Sequence, residues 1–88
     1  MSDNPIIDFT NVAGRDIFVS CSGLPAGSSL LLVNKTSGSN AGQMAASNGP
    51  VTFHLSDSVR AGEYYLKGVD PTGGYLAQSV SFMVANPD

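Results

Sequence analysis

The sequence contains little of the chemistry that enzymes and nucleic-acid-binding proteins use. Its 88 residues include one cysteine, one histidine and no tryptophan, only 12% of them are charged, and the net charge is −3. No apolar run approaches the roughly 20 residues of a membrane span. The few bases form no patch of the kind that phosphate groups require, since they are scattered at Arg15, Lys35, Arg60 and Lys67. We therefore expect neither a nucleic-acid partner nor a membrane span.

The lone cysteine and the lone histidine do not indicate a catalytic site. Cys21 has no second cysteine to pair with, and its flanks IFVSCSG predict a buried strand residue, because a free cysteine behaves as a small hydrophobe. His54 falls on the outward side of an alternating stretch, without the nucleophile and acid that a triad requires. We expect an inert thiol, a surface histidine and no enzyme activity.

The acidic residues form no calcium-binding loop of the D-x-D-x-D-G type. Asp57 and Asp70 fall in predicted turns, where an aspartate either binds Ca²⁺ together with other oxygens or caps the turn. Capping needs no further ligand, so we expect that role, with no metal and no cofactor.

The N-terminal sequence MSDNPIIDFT has neither the positive nor the apolar segment of a secretory signal. Three expectations are compatible with this. The protein stays in the cytoplasm as expressed, leaves the cell by a route that needs no such signal, or is a module of a larger exported or virion protein.

Apolar residues alternate with polar ones, whereas helical spacing is interrupted by Gly, Pro or Asn almost everywhere. This pattern predicts strands at residues 5–9, 16–22, 28–34, 50–55, 61–69 and 75–84. The segment 28–34 is apolar on both faces and is expected to be central, and a short edge strand is expected around residues 42–46. The side chains predicted to point inward are Ile7, Phe9, Ile17, Val19, Cys21, Val51, Phe53, Leu55, Val59, Leu76, Val80, Phe82 and Val84.

About seven short strands separated by turn residues predict an all-β fold, an antiparallel β-sandwich. No helical segment is available as the crossover that a parallel sheet needs. A small barrel of the oligonucleotide-binding kind is the alternative, but its usual surface combines basic and aromatic residues. We expect one domain over residues 1–88, with frayed ends at 1–4 and 86–88.

Two stretches resemble known modules. VSCSGLPAGSSLLLV is similar to the B strand, turn and C strand of immunoglobulin-like (Ig-like) and fibronectin type III modules. VRAGEYYLKGVDPTGGYLAQSVSFMV resembles their F–G hairpin, with an ending seen in bacterial Ig-like repeats and fungal cell-wall domains. The resemblance implies an Ig-like sandwich of about seven strands. It does not specify a function, because such folds have many roles.

The same resemblance assigns the two adjacent tyrosines. Gly62 and Tyr64 match the family's tyrosine corner, which implies that Tyr64 lies in the core and Tyr65 faces outward. The antibody hallmarks are missing, because the chain has no tryptophan and Cys21 has no partner cysteine. A loose Ig-like sandwich is therefore the expectation.

Partner-binding candidates come from the outward face of the hairpin and from two turns. Tyrosine and methionine are enriched at interfaces, although scattered apolar residues on a surface are also normal. The turns are GLPAG, at residues 23–27, and DPTGG, at residues 70–74. The candidates are Tyr65, Lys67, Val69, Tyr75 and Met83 on the face, with Leu31 or Val33 beside them, and Pro25 and Pro71 in the turns.

Together these features predict a non-catalytic interaction or structural module of an adhesive, surface, secreted or virion assembly. Binding through a sheet face or through end loops is expected, and self-association through sheet edges is a further route. One alternative is a small soluble inhibitor or accessory protein that binds a protein partner by its loops. Another is a carbohydrate-binding module that stacks sugars on Tyr65 and Tyr75.

Overall fold

Eight antiparallel strands make up the fold, and a computed structural model describes residues 4–85. The strands are β1 (Ile6–Ala13), β2 (Asp16–Ser22), β3 (Ser29–Asn34), β4 (Asn40–Ala45), β5 (Gly49–His54), β6 (Gly62–Val69), β7 (Tyr75–Gln78) and β8 (Phe82–Val84). The smaller sheet has the order β1-β2-β5, and the larger has the order β4-β3-β6-β7, with β8 also paired to β6. The predicted all-β, sandwich-like fold is confirmed. The expected fraying concerns mostly residues outside the described range.

None of the residues 4–85 is helical, so this part of the chain offers no helix suited to crossing a membrane.

The core fills the space between the two sheets. Alternation along β2, β5 and most of β6 directs every second side chain into this space, as the sequence pattern predicts. Phe9 and Phe82 connect the sheets directly, because their rings are nearly parallel with centroids 5.0 Å apart. The buried apolar side chains include Ile7, Ile17, Val19, Cys21, Leu30, Leu32, Val51, Phe53, Leu55, Val59, Tyr64, Leu66, Phe82 and Val84.

The predicted central strand and the predicted edge strand are both confirmed. β3 lies between β4 and β6, away from the edges of the larger sheet. β4 occupies the edge of the larger sheet, and its pairing with β3 shifts between Leu32 and Val33. A bulge of this kind twists an edge strand and makes it a poor template for another strand.

β6 holds most of the larger sheet together, since it pairs with β3 on one side and with β7 and β8 on the other. Tyr64 and Leu66 point into the core, so the expected core position of Tyr64 is confirmed. The Tyr64 hydroxyl donates a hydrogen bond of 3.0 Å to the carbonyl of Arg60, which closes the corner before the strand. Gly68 follows on the same face. A Cβ atom added at this glycine would lie only 2.9 Å from Cδ1 of Ile7. Glycine at this position lets the two sheets approach each other.

The predicted single strand at residues 75–84 is wrong in its middle, because residues 79–81 separate β7 from β8. Ser79 turns inward at this break. Its N–H donates to the Leu66 carbonyl over 2.8 Å, and its hydroxyl oxygen accepts the Leu66 N–H over 3.0 Å. The break changes the alternation, so Val80, predicted to be in the core, is 68% exposed and Ala77 is buried instead.

Two valines on the outer face of the larger sheet are buried: Val69, which was expected to be exposed, and Val33, which was an alternative to Leu31 as an exposed residue. Val33 lies opposite Tyr65 and Val69 lies opposite Tyr75 in the strand register. Side chains in such positions are only about 4.5–5.5 Å apart at their Cβ atoms, so each valine has a tyrosine as its cross-strand neighbour. With Val69 only 7% exposed, its predicted availability on the surface is wrong.

Arg15, in the turn between β1 and β2, connects the segments at one end of the sandwich. Its guanidinium donates hydrogen bonds to the carbonyls of Ser56, Val59 and Ala85, over 2.5, 2.9 and 2.8 Å. Its own carbonyl accepts the N–H of Leu55 over 2.8 Å. One side chain thus holds the β5–β6 connection and the residue after β8.

Tyr64 provides a test of the packing around β6. Tyr64→Ala should lower the free energy of unfolding by about 3–5 kcal/mol, as truncation of a buried aromatic does. Tyr64→Phe removes only the hydrogen bond to Arg60 and should cost about 1 kcal/mol. Urea denaturation followed by circular dichroism measures both changes. Tyr75→Ala, at an exposed ring, is the control and should change stability by less than about 0.5 kcal/mol. Equal losses for Tyr64→Ala and Tyr75→Ala would contradict the assignment.

Candidate functional site

Two loops come together at the end of the sandwich opposite Arg15. The β2–β3 loop covers residues 23–28, and the β6–β7 loop covers residues 70–74. At Gly27 the backbone has a φ of +84°, and a Cβ atom added there would lie 3.0 Å from the Pro71 ring. The two loops are therefore in contact. We call these two segments the paired loops. They carry the candidates Pro25 and Pro71, and both prolines are exposed.

A network around Asp70 fixes the β6–β7 loop. One carboxylate oxygen accepts the N–H of Thr72 (3.0 Å), the hydroxyl of Thr72 (2.7 Å) and the N–H of Gly74 (2.7 Å). The predicted capping role of Asp70 is therefore confirmed. The Thr72 hydroxyl, followed by the Gly74 N–H, holds the pKa of this carboxyl below its ordinary value, because these donors favour the charged form.

The β2–β3 loop is held from the side by Asn48, which lies between β4 and β5. The Asn48 side chain accepts the N–H of Leu24 over 3.0 Å and donates to the Leu24 carbonyl over 3.1 Å. Leu24 is buried, and the Ser28 hydroxyl donates to the Pro25 carbonyl over 2.6 Å. Both paired loops are thus fixed by side-chain hydrogen bonds within the protein, while their proline tips face solvent.

A second surface runs along β7, at the edge of the larger sheet. It consists of two depressions, of about 430 Å³ between β1 and β7 and about 180 Å³ beside Tyr65. Gln78 and Val80 line both depressions, so the two adjoin at these side chains. We call this surface the β7 trough and define it by Ile6, Asp8, Lys35, Tyr65, Tyr75, Gln78 and Val80.

Apolar exposure is concentrated in the β7 trough. Ile6, Tyr75 and Val80 line its larger depression. They are three of the four large apolar side chains that residues 4–85 expose, and Met83 is the fourth. A grouping of this kind is typical of binding surfaces, whereas single exposed apolar residues are ordinary.

Charged groups beside the smaller depression are paired. The Lys35 ammonium lies 3.4 Å from a carboxylate oxygen of Glu63, and the Ser81 hydroxyl donates to the same oxygen over 2.6 Å. The Ser81 hydrogen bond above all, with the Lys35 charge adding to it, holds the pKa of Glu63 below its ordinary value. The Tyr65 hydroxyl and the Gln78 amide have no protein partner within residues 4–85, which leaves both free to meet a ligand.

The predicted sheet-face candidates do not form one patch. Tyr75 and Met83 are exposed, Tyr65 and Lys67 are half-buried, and Val69 is buried. Tyr75 joins Ile6 and Val80 in the larger depression, whereas Tyr65 lines the smaller one. Met83 pairs with Glu63 on β6 and lies outside the trough.

The lone histidine and cysteine lie as predicted. His54 is exposed, and its Nδ1 is 2.6 Å from Oδ1 of Asp16, its register partner on β2. Cys21 is buried, and its burial, with the charge of Asp8 adding to it, raises the pKa of the thiol. Residues 4–85 contain no group of three or more His, Cys, Asp or Glu placed to hold a metal ion.

The sequence pattern does not predict the roles of Asn48, Ser79 and Arg15, whose side chains fix the loops and strand ends. Each binds backbone groups far away in the chain or at a strand break, so no local spacing indicates its role. Only Asn48 has a local signal, since Asn followed by Gly is typical of turns.

Comparison with known proteins finds no matching family model, no matching curated protein and no matching solved structure. The function is therefore inferred from the residues described above.

Asp70 should titrate below its ordinary pKa of 3.8. Because the folded-state pKa is lowered, the loop's carboxylate hydrogen bonds are fully present above the ordinary value and are lost as pH falls through the folded value. The amide chemical shifts of Thr72 and Gly74, followed by NMR on acidification, should show an inflection below pH 3.8. Thr72→Val removes the hydroxyl donor and should move the inflection upward. An inflection at or above 3.8 in the unmodified protein would contradict the network.

Proposed function

We propose that this chain is a non-catalytic interaction module whose paired loops bind a protein partner. The contact between Gly27 and Pro71 carries the proposal, because it joins two loops that are distant in sequence into one surface. Binding residues are often found on loops that a rigid scaffold positions. The expected setting is an adhesive, surface, secreted or virion assembly.

The strand order supports an Ig-like type of sandwich. If β1, β2 and β5 are named A, B and E, the smaller sheet has the Ig-like order A–B–E, and β3, β6 and β7 correspond to C, F and G. β4 beside β3 then corresponds to the additional C′ strand of variable-type domains. The hydrogen bond from Tyr64 to the Arg60 carbonyl matches the tyrosine corner of this fold.

The hydrogen bonds within the paired loops favour binding by a preformed surface. Asp70 holds one loop and Asn48 holds the other, so little conformational freedom remains to be lost when a partner binds. Pro25 and Pro71 add to this, because the ring of proline fixes φ. A small soluble inhibitor or accessory protein would use the same surface in the same way.

Self-association through sheet edges is less well supported, because each edge carries a feature that discourages pairing. β1 has a register shift between Phe9 and Asn11, and β4 has the bulge opposite Leu32. β5 contains Pro50, which lacks a donor, and β7 is four residues long. We therefore infer a different protein, rather than a second copy, as the partner of the loops.

Paired substitution of the two prolines tests this proposal. The immobilised domain is used to isolate a partner from an extract of its source cells, and the affinity of the purified partner is then measured by calorimetry. Pro25→Ala with Pro71→Ala should weaken binding by about tenfold or more, the effect of losing about 1.4 kcal/mol at an interface. Both substitutions lie at exposed tips, so the unfolding midpoint should stay close to that of the unmodified protein.

Thr36→Ala is the matched control, since Thr36 is an exposed loop residue at the opposite end of the sandwich. The control should bind as the unmodified protein does. A partner that binds the proline variant and the control equally well would contradict a role for the paired loops.

A further inference from the structure

We propose that the β7 trough is a second binding site, separate from the paired loops, and that it takes a neutral linear oligosaccharide. The larger depression offers Ile6, Tyr75 and Val80, and the smaller offers the ring of Tyr65. A pyranose ring has one face made of C–H groups, which packs on such apolar and aromatic surfaces, and hydroxyls around its rim. The trough combines apolar faces with free hydrogen-bonding groups in the way that such a ligand requires.

The spacing of the two tyrosines fits an extended ligand. Tyr75 lies opposite Val69, which is four residues from Tyr65 along β6, so the backbone positions of the two tyrosines are roughly 13 Å apart along the strand direction. Gln78 lies between them, opposite Lys67. A single sugar ring is too short to reach both tyrosines, whereas a chain of several sugars can contact both and meet the Gln78 amide between them.

The charges of the trough favour a neutral ligand. Asp8 lines the larger depression and Lys35 the smaller, while Glu63 and Lys67 lie at its border. The two acids and the two bases balance, and Lys35 is already 3.4 Å from Glu63. A polyanion such as nucleic acid or a sulfated glycan would meet no excess of positive charge.

The β7 trough is less suited to an extended peptide than to an oligosaccharide. A peptide that adds to a sheet needs a free strand edge with unpaired N–H and carbonyl groups. β7 has only four residues, its register shifts opposite the Gly68–Val69 step, and β1 of the smaller sheet lies close to it. The trough also offers side-chain groups, chiefly the Tyr65 hydroxyl and the Gln78 amide, which suits recognition of sugar hydroxyls.

The test is an NMR titration of the whole chain with three neutral hexasaccharides: cellohexaose, chitohexaose and laminarihexaose. At millimolar concentration, at least one should shift the amide signals of Tyr65, Tyr75, Gln78 and Val80 as a group. Tyr65→Ala and Tyr75→Ala should each weaken binding about tenfold, in keeping with the loss of one stacked ring. Tyr65→Phe keeps the ring and loses only the hydroxyl, so it should weaken binding measurably but by less than Tyr65→Ala does.

Phe18→Ala is the matched control, because Phe18 is a half-buried aromatic on the outward face of the smaller sheet. It should leave sugar binding unchanged, as should the proline variant of the paired loops. Absence of shifts with all three sugars would overturn the proposal. Shifts centred on the paired loops, or affinity that survives both tyrosine substitutions, would overturn it as well. So would a proline-rich decapeptide that shifts the trough signals when no sugar does.

Discussion

The hydrogen-bonded register of β6 with its three neighbours is the constraint on which both proposed surfaces depend. This register places Tyr64 in the core and Tyr65 on the outside, and it aligns β7 so that Tyr75 lies opposite Val69. The strand begins at the corner that Tyr64 closes and ends at the loop that Asp70 caps. A shift of one residue would reverse every side chain on the strand and remove both the paired loops and the trough.

The sequence was sufficient to predict the parts of the fold in which local pattern and burial agree. β2 and β5 alternate cleanly, so their inward residues were predicted correctly, and so was the central position of β3. The loops 23–27 and 70–74 were predicted from Gly and Pro, whose backbone preferences act within a few residues. Their contact was not predictable, because it depends on how β3 and β6 align.

The failures share one physical cause. Val80 and Val69 were both assigned by continuing a strict alternation of inward and outward side chains. At Val80 the chain does not keep this alternation. At Val69 it does, but the outward side chain is buried all the same. Ser79 interrupts the final strand because its hydroxyl accepts the Leu66 N–H, and a serine in a stretch that alternates apolar and polar residues gives no sign of this. Val69 is buried beside its cross-strand partner Tyr75, a residue six positions away and on another strand. Period alone indicates the direction of a side chain and does not indicate what covers it.

The two surfaces adjoin at Tyr75, which follows the last residue of the β6–β7 loop and begins the trough. A protein partner at the loops and a sugar chain in the trough would therefore bind at neighbouring positions on one rigid strand. The pairing of the loops is the central claim, and it is tested most directly by a nuclear Overhauser effect between the Gly27 α-protons and the Pro71 ring protons. The structure predicts a clear cross-peak, with both loops as ordered as β6 on the picosecond–nanosecond timescale. Absence of the cross-peak, or loops that are mobile on that timescale, would contradict a preformed binding surface.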